Sequence, residues 1–407
     1  MNIKLKQSSI ASVSSITITG SKSESNRLLL LQALFPEISI ENLSNSDDTN
    51  VMQYALQTSE DSIDIHHAGT AMRFLTAYFA TQEHRNVVLT GSSRMKERPI
   101  KILVDALNAL GADISYFERN DCPPLQVRGQ KLIKDKVTLN ANVSSQYISA
   151  LLLIAPKLKN GLELTLEGEI ASVSYINMTL DLLNQIGVKT EFTDNVIKVF
   201  PEMSKDDTQT LVVESDWSSA SYFYSIIALS PVGTQISLSS YKQNSLQGDS
   251  ALVTIYKDFG IETSFDNHSI VLRKTTENFE SKTYNLNDSP DIAQTIAVTC
   301  LGLGIECHLS GLHTLKIKET DRLEALKIEI EKLGGQINIT EDSLHLESNK
   351  NLNENVSIDT YNDHRMAMAF APLALKTTLQ INDSDVVSKS FPTFWDDLKT
   401  LGFKISE

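Results

Sequence analysis

Short polar or glycine-bearing stretches that run straight into apolar segments recur along the whole chain. The pattern appears in "GSKSESNRLLLLQALF" (20–35), "HAGTAMRFLTAYFA" (67–80) and "SSQYISALLLIA" (144–155). It returns in "DWSSASYFYSIIALS" (216–230), "SPDIAQTIAVTCLGLG" (289–304) and "DHRMAMAFAPLAL" (363–375). Apolar residues on every side of "RLLLLQALF" and "MAMAFAPLAL" predict helices buried among neighbours rather than amphipathic surface helices. Each copy is followed by a more amphipathic helix: "DDTNVMQYALQTS", "RPIKILVDALNALGA", "SYINMTLDLLNQIGV", "DSALVTIYKDFGI", "TDRLEALKIEIEKLGG" and "PTFWDDLKTLGF". Five of these close at Gly111, Gly187, Gly260, Gly334 and Gly402, where glycine forms a left-handed C-terminal cap without steric cost. Between the helices, alternating segments such as "SITIT", "NVVLTG", "LELTLEG", "TLVVES", "VLRK" and "HLSG" predict half-buried strands.

Met72, Ser145, Ser218, Asp291 and His364 mark five of the copies, and successive markers stand 73 residues apart. That period exceeds a solenoid unit and fits a small supersecondary domain. The predicted unit is β-α-β-α-β-β, repeated six times. A chain of 407 residues is too long for one ordinary core, so two domains are expected.

Composition narrows the class. Apolar residues make up 41% and charged residues 21%, the balance of a packed globular protein. The N-terminal stretch alternates rather than forming a signal-peptide core, and no apolar run is long enough for a bilayer, so a cytoplasmic protein is expected. Three cysteines without a C-x-x-C pair suggest neither a disulfide framework nor a zinc site. A formal charge of −15 opposes nucleic-acid binding, which draws on basic faces. A small anion remains a fitting ligand, since a local basic cluster focuses positive potential whatever the net charge.

The helix starts carry that cluster. Buried helices must place their N-terminal amides somewhere, and several such ends form an anion site. "GSKSESNR" is not a P-loop, which requires G-x-x-x-x-G-K-[ST], yet it offers Lys22 and Arg27. Arg73, Arg94, Arg98, Lys318, Arg322, Arg365 and Lys389 occupy comparable junctions. Basic groups beside buried helices are costly unless an anion pairs with them. Two carboxylates break the basic pattern: Asp291 after Pro290, and Glu319 between Lys318 and Thr320. Each reads either as a cap or salt-bridge partner or as a proton acceptor for acid–base chemistry.

In order along the chain, "GSKSESNR", "AGTAMR", "RMKERPI", "SSQ", "SVSYI", "SPD", "KETDR", "NDHRMAMAFA" and "KSFPTFW" resemble the 5-enolpyruvylshikimate-3-phosphate synthase family over nearly its full length. The resemblance implies an α/β (α+β) fold of two domains, each of three β-α-β-α-β-β repeats, with the active-site cleft between them. One domain would be 21–215, and the other would combine 1–20 with 216–407. The implied reaction moves the enolpyruvyl group of phosphoenolpyruvate onto the 5-hydroxyl of shikimate 3-phosphate and releases phosphate, with no metal or organic cofactor, in a monomer.

The resemblance assigns shikimate 3-phosphate to Lys22, Ser23, Arg27, Ser144, Ser145, Gln146, Ser172, Tyr175, Asp291 and Lys318. It assigns phosphoenolpyruvate to Lys22, Gly69, Arg98, Gln146, Arg322, Arg365 and Lys389. Asp291 would take the proton of the attacking hydroxyl. Glu319, helped by Lys22 or Lys389, would deliver and later remove the proton on the methylene carbon. His67 stands where the family usually shows Asn, which alters a hydrogen bond on the phosphoenolpyruvate side, while His66 is expected to pack. Thr314 stands where some members place an Asn. Gly69 is the family's common residue, and tolerance of the herbicide glyphosate goes with alanine there, so a glyphosate-sensitive enzyme is expected.

Three other readings compete. The related family that transfers enolpyruvyl to UDP-N-acetylglucosamine carries a reactive Cys or Asp near the R-P motif, whereas Cys122 in "RNDCPPLQVRG" looks structural. An inactive binding protein would keep the basic residues but have little use for Asp291 and Glu319. An RNA-end-processing enzyme is opposed by the net charge.

Overall fold

The computed structural model describes residues 1–141, 144–168, 170, 173–201 and 209–407. It divides into two compact units, Gly20–Val213 and Met1–Thr19 with Glu214–Glu407. The Gly20–Val213 unit holds α1 (Lys22–Leu34), α2 (Asp47–Gln57), α3 (Gly69–Ala80), α4 (Lys101–Leu110), α5 (Ser145–Ile154) and α6 (Val173–Gln185). The other holds α7 (Trp217–Leu229), α8 (Leu252–Ile255), α9 (Ala293–Leu303), α10 (Arg322–Lys332), α11 (His364–Phe370) and α12 (Phe394–Leu401).

In the first unit α1, α3 and α5 pack on one another, and in the second α7, α9 and α11 do. Leu28, Leu30 and Leu31 of α1, and Met366, Ala369 and Phe370 of α11, are fully buried, as helices apolar on all sides require. The following helices bury one face only, as in α4, where Leu103, Leu107 and Leu110 point inward.

Among the described residues, five four-stranded sheets repeat one mixed pattern: a parallel pair extended by two antiparallel strands. In one, Ser62–Asp64 runs parallel to Asn86–Thr90, which pairs antiparallel with Leu125–Arg128 and through it with Asp113–Tyr116. The N-terminal strand Ile3–Lys6 joins the last repeat, pairing antiparallel with Leu379–Ile381 and Lys404–Ser406. Val13–Ile16 lies parallel to Gln235–Ser239 in the same unit.

The copy beginning at Lys22 departs from the sixfold expectation. Among the described residues its Ile38–Glu41 strand pairs only with Gln209–Val212, and α2 leads directly to Ser62–Asp64 with no intervening hairpin. This accounts for the missing glycine: α2 ends at Thr58 in extended backbone, φ −74° and ψ 148°. The five capping glycines all have positive φ, from 77° at Gly260 to 111° at Gly402.

"DSALVTIYKDFG" also departs from expectation. It forms a single α turn, α8, flanked by 3-10 turns at Gly248–Ala251 and Tyr256–Phe259. Val253, Thr254 and Ile255 are β-branched and lose side-chain freedom against a preceding helical turn, while Asp249 and Ser250 compete for backbone bonds. Among the described residues no helix is long and apolar enough to cross a membrane.

Candidate functional site

In the Gly20–Val213 unit the helix starts do gather polar and cationic groups. The N-caps of α1 and α3, Ser21 and Ala68, make no side-chain capping bond. Those two starts therefore keep backbone amides available to an anion. Lys22 opens α1 and lies 3.6 Å from Asp48 of α2, whose other oxygen is 3.8 Å from His67 Nε2. His66, by contrast, is exposed and 3.7 Å from Asp64 rather than packed.

Arg27 is 2% exposed. Its Nε donates to Thr179 Oγ1 at 2.8 Å, Nη1 to the Ser23 carbonyl at 2.8 Å, and Nη2 to Ser149 Oγ at 2.9 Å and the Tyr175 carbonyl at 3.4 Å. Every partner is neutral. Burial accordingly lowers the guanidinium to about 10, against the opposing pull of Tyr175 and Glu24. Among the described residues its hydrogen-bond partners thus hold the cation in place without neutralising it.

Gly69 opens α3 against Arg98. A Cβ on Gly69 would lie 2.6 Å from Arg98 Nη1 and 3.2 Å from Arg73 Nη1. Arg73 is buried, donates to the Gly69 carbonyl at 3.0 Å and stacks on Tyr147. Gln146 donates to Thr70 Oγ1 at 3.1 Å, next to Gly69, and Ser144 caps α5 by accepting from Gln146 N at 3.4 Å. Ser145 is buried in the first turn of α5. Arg94 does not join this group: it is exposed and pairs with Glu97 at 3.1 Å, as a surface charge does. Ser172 lies outside the described residues.

In the other unit, the basic junctions are matched by acids. Arg322 opens α10 and is 2% exposed. Its Nε reaches Asp363 Oδ2 at 2.6 Å, Nη1 reaches Asp291 Oδ1 at 2.8 Å, and Nη2 reaches Glu319 Oε2 at 2.8 Å. Burial alone would lower this guanidinium, but Asp363, Glu319 and Asp291 together hold it above its ordinary value. Asp363 spends its second oxygen capping α11 at Arg365 N, 2.8 Å away.

Lys318 lies 3.5 Å from Asp291 Oδ1, and Arg365 Nη2 lies 3.3 Å from Asp291 Oδ2. Lys389 ends the 3-10 turn Ser384–Lys389 and donates to the Asn362 carbonyl at 2.6 Å, one residue before Asp363. Thr314 sits in the 3-10 turn His313–Ile317. Asp291, Glu319, Asp363, Lys318, Arg322 and Arg365 make three charges of each sign, so this cluster is balanced rather than short of an anion. Such a group can pass protons with little net change in charge, whereas the cationic first set is fitted to hold anions.

Sequence reasoning missed Asp48 and Asp363 as charge partners. Asp363 had a local signal, since an acid directly before an apolar helix is an N-cap. Asp48 had only its place in the first turn of α2. Among the described residues no group of His, Cys, Asp and Glu is arranged to hold a metal.

A profile of the family described as EPSP synthase (3-phosphoshikimate 1-carboxyvinyltransferase) matches residues 53–398. The 3-phosphoshikimate 1-carboxyvinyltransferase of Bacteroides fragilis is 46% identical over 395 residues, covering 96% of this chain and 95% of that protein. Its counterpart in Colwellia psychrerythraea is 36% identical over 414 residues, covering 94% and 95%. Among solved structures, an EPSP synthase of Acinetobacter baumannii superposes with a TM-score of 0.81 at 20% identity, covering 100% of both chains. The enolpyruvyl transferase NikO of Streptomyces tendae gives 0.74 at 11% identity, covering 100% and 98%. Likenesses this distant in sequence speak for the fold.

Proposed function

We propose that this chain, which belongs to the EPSP synthase family, transfers the enolpyruvyl group of phosphoenolpyruvate to the 5-hydroxyl of shikimate 3-phosphate and releases phosphate. One observation carries the reading of its residues: a single buried guanidinium, Arg322, holds both Asp291 and Glu319 at 2.8 Å. Addition to the enol phosphate and the elimination that follows need a base for the hydroxyl and an acid for the methylene carbon, and two carboxyls on one cation suit that division.

Asp291 takes the hydroxyl proton. Glu319 protonates the methylene carbon, making the adjacent carbon electrophilic, and removes a proton when the tetrahedral intermediate collapses. Lys22 and Lys389 supply ammonium groups for these transfers and for the departing phosphate. Shikimate 3-phosphate is read by Lys22, Ser23, Arg27, Ser144, Ser145, Gln146, Ser172, Tyr175, Asp291 and Lys318. Phosphoenolpyruvate is read by Lys22, Gly69, Arg98, Gln146, Arg322, Arg365 and Lys389, whose forked guanidiniums match carboxylate and phosphate. The two compact units correspond in this reading to three-repeat domains at 21–215 and at 1–20 with 216–407. The enzyme acts as a cytoplasmic monomer without a cofactor, and sedimentation at working concentration tests the monomeric state.

Phosphate release measured with both substrates, and with each alone, tests the activity. Release that requires both is expected. Binding of shikimate 3-phosphate without any release would leave a binding protein and remove the transferase.

Gly69→Ala probes the phosphoenolpyruvate side. The new methyl would meet Arg98 Nη1 at 2.6 Å, and the guanidinium must shift. Weakening one charge-assisted bond costs about 1.5 kcal/mol, so KM for phosphoenolpyruvate is expected to rise about tenfold with a smaller change in kcat. Inhibition by glyphosate, expected at micromolar concentration in the parent, should weaken in parallel. An unchanged KM would show that Arg98 does not contact this substrate.

A further inference from the structure

We propose that Asp249 is a positioning residue for this reaction, acting through Ser218 to fix Arg365 beside Asp291 and through space to tune the Asp291 carboxylate. The inference rests on the roles proposed above for Arg365 and Asp291. Asp249 lies in the 3-10 turn Gly248–Ala251 and is 4% exposed. Ser218, in the first turn of α7, donates its hydroxyl to Asp249 Oδ2. Ser218 Oγ in turn accepts from Arg365 Nη2 at 3.2 Å. Arg365 Nη1 donates to the Asp291 carbonyl at 3.0 Å, and Nη2 lies 3.3 Å from Asp291 Oδ2. The contacts therefore run unbroken from Asp249 to Asp291.

A serine has one proton to give. Because Ser218 gives it to Asp249, its lone pairs face Arg365, and the guanidinium is held from behind while its nitrogens meet Asp291. Asp249 makes no ion pair of its own among the described residues, an unusual position for a buried acid. Burial, followed by the nearby Asp291 charge and a smaller push from Asp216, raises its carboxyl to about 7. Arg365 and the Ser218 hydroxyl pull the other way. Asp249 thus changes charge within the working range of pH. Once ionised, it adds a negative charge that strengthens Asp291 as a base and opposes an incoming anion.

Asp249→Asn keeps the shape and an acceptor for Ser218 but cannot ionise. Kinetics of parent and variant are compared from about pH 5.5 to about pH 8.5, as variant-to-parent ratios in which ionisation of the substrates cancels. The ratios for kcat and KM are expected to stay near one in acid. Above about pH 7 both fall about three- to tenfold, slower turnover accompanying tighter binding of phosphoenolpyruvate. Ratios that are flat with pH, or a loss of kcat with no change in KM, would overturn the proposal.

A second measurement uses protein carrying ¹³C at aspartate Cγ, without substrates. One resonance should titrate near pH 7 and vanish in Asp249→Asn, with Asp249→Ser serving if that variant does not fold. The Asp291 resonance should show an inflection at the same pH, lost in the variant. Absence of either inflection overturns the proposal even in a fully active enzyme. If the parent releases no phosphate at all, the transferase reading fails, and the resonances still decide whether the two carboxyls are coupled.

Discussion

Arg322→Met should destabilise the Glu214–Glu407 unit by about 3–5 kcal/mol and abolish turnover. The magnitude is that of removing one partner from a buried ion pair, which leaves uncompensated charge in a poorly solvated place. Here one cation serves three acids, and Asp363, fully buried, has Arg322 as its 2.6 Å partner. Lys318 and Arg365 can still neutralise Asp291, whereas Asp363 spends its other oxygen on the Arg365 backbone amide. Arg322→Lys is expected to recover little, because an ammonium cannot present Nε, Nη1 and Nη2 in three fixed directions. Both tryptophans, Trp217 and Trp395, belong to this unit, so their fluorescence during urea unfolding reports the loss directly. A cost below about 1 kcal/mol would mean that the acids re-pair and that Arg322 is not the centre of the cluster.

Asp291→Asn and Glu319→Gln are each expected to lower turnover by roughly 10²–10⁴-fold, the contribution of a positioned acid or base. The amides keep the size of the carboxyls and one oxygen for Arg322, so the cluster should survive. Each substitution still removes a negative charge beside Arg322, which should cost less stability than Arg322→Met does. Single-turnover phosphate release, together with calorimetric binding of shikimate 3-phosphate, separates chemistry from affinity. Glu319→Gln should bind this substrate nearly as the parent does. A loss below tenfold in either variant would return that residue to its alternative reading, a salt-bridge partner of Arg322.

Much of the fold was legible along the chain. The all-round apolar character of "RLLLLQALF" and "MAMAFA" announced helices that pack among other helices, and α1 and α11 do so. Glycines at the ends of the amphipathic helices announced left-handed caps, and all five have positive φ. The shortened first repeat was legible in part, because α2 alone lacked its glycine. The missing hairpin itself was not, since nothing local distinguishes a strand entering the next repeat from one closing its own. The helix of "DSALVTIYKDFG" was overread: its apolar spacing is helical, but adjacent β-branched residues hold only one α turn.

The candidate site divides in the same way. Periodicity, capping residues and charge at helix starts are properties of neighbouring positions on one chain. They were enough to single out Lys22, Arg27, Arg98, Arg322, Arg365, Asp291 and Glu319. Which charges meet is a different kind of fact. Arg322 takes Glu319 from the residues just before it, but Asp291 and Asp363 come from 31 and 41 residues away. Ser218 is 147 residues from the Arg365 it steadies. No local pattern encodes those distances, because they follow from how one repeat packs against the next. The helix starts therefore announce where charge lies, and packing of the repeats decides which charges meet: Arg27 among neutral hydrogen-bond partners in one unit, and Arg322 among three acids in the other.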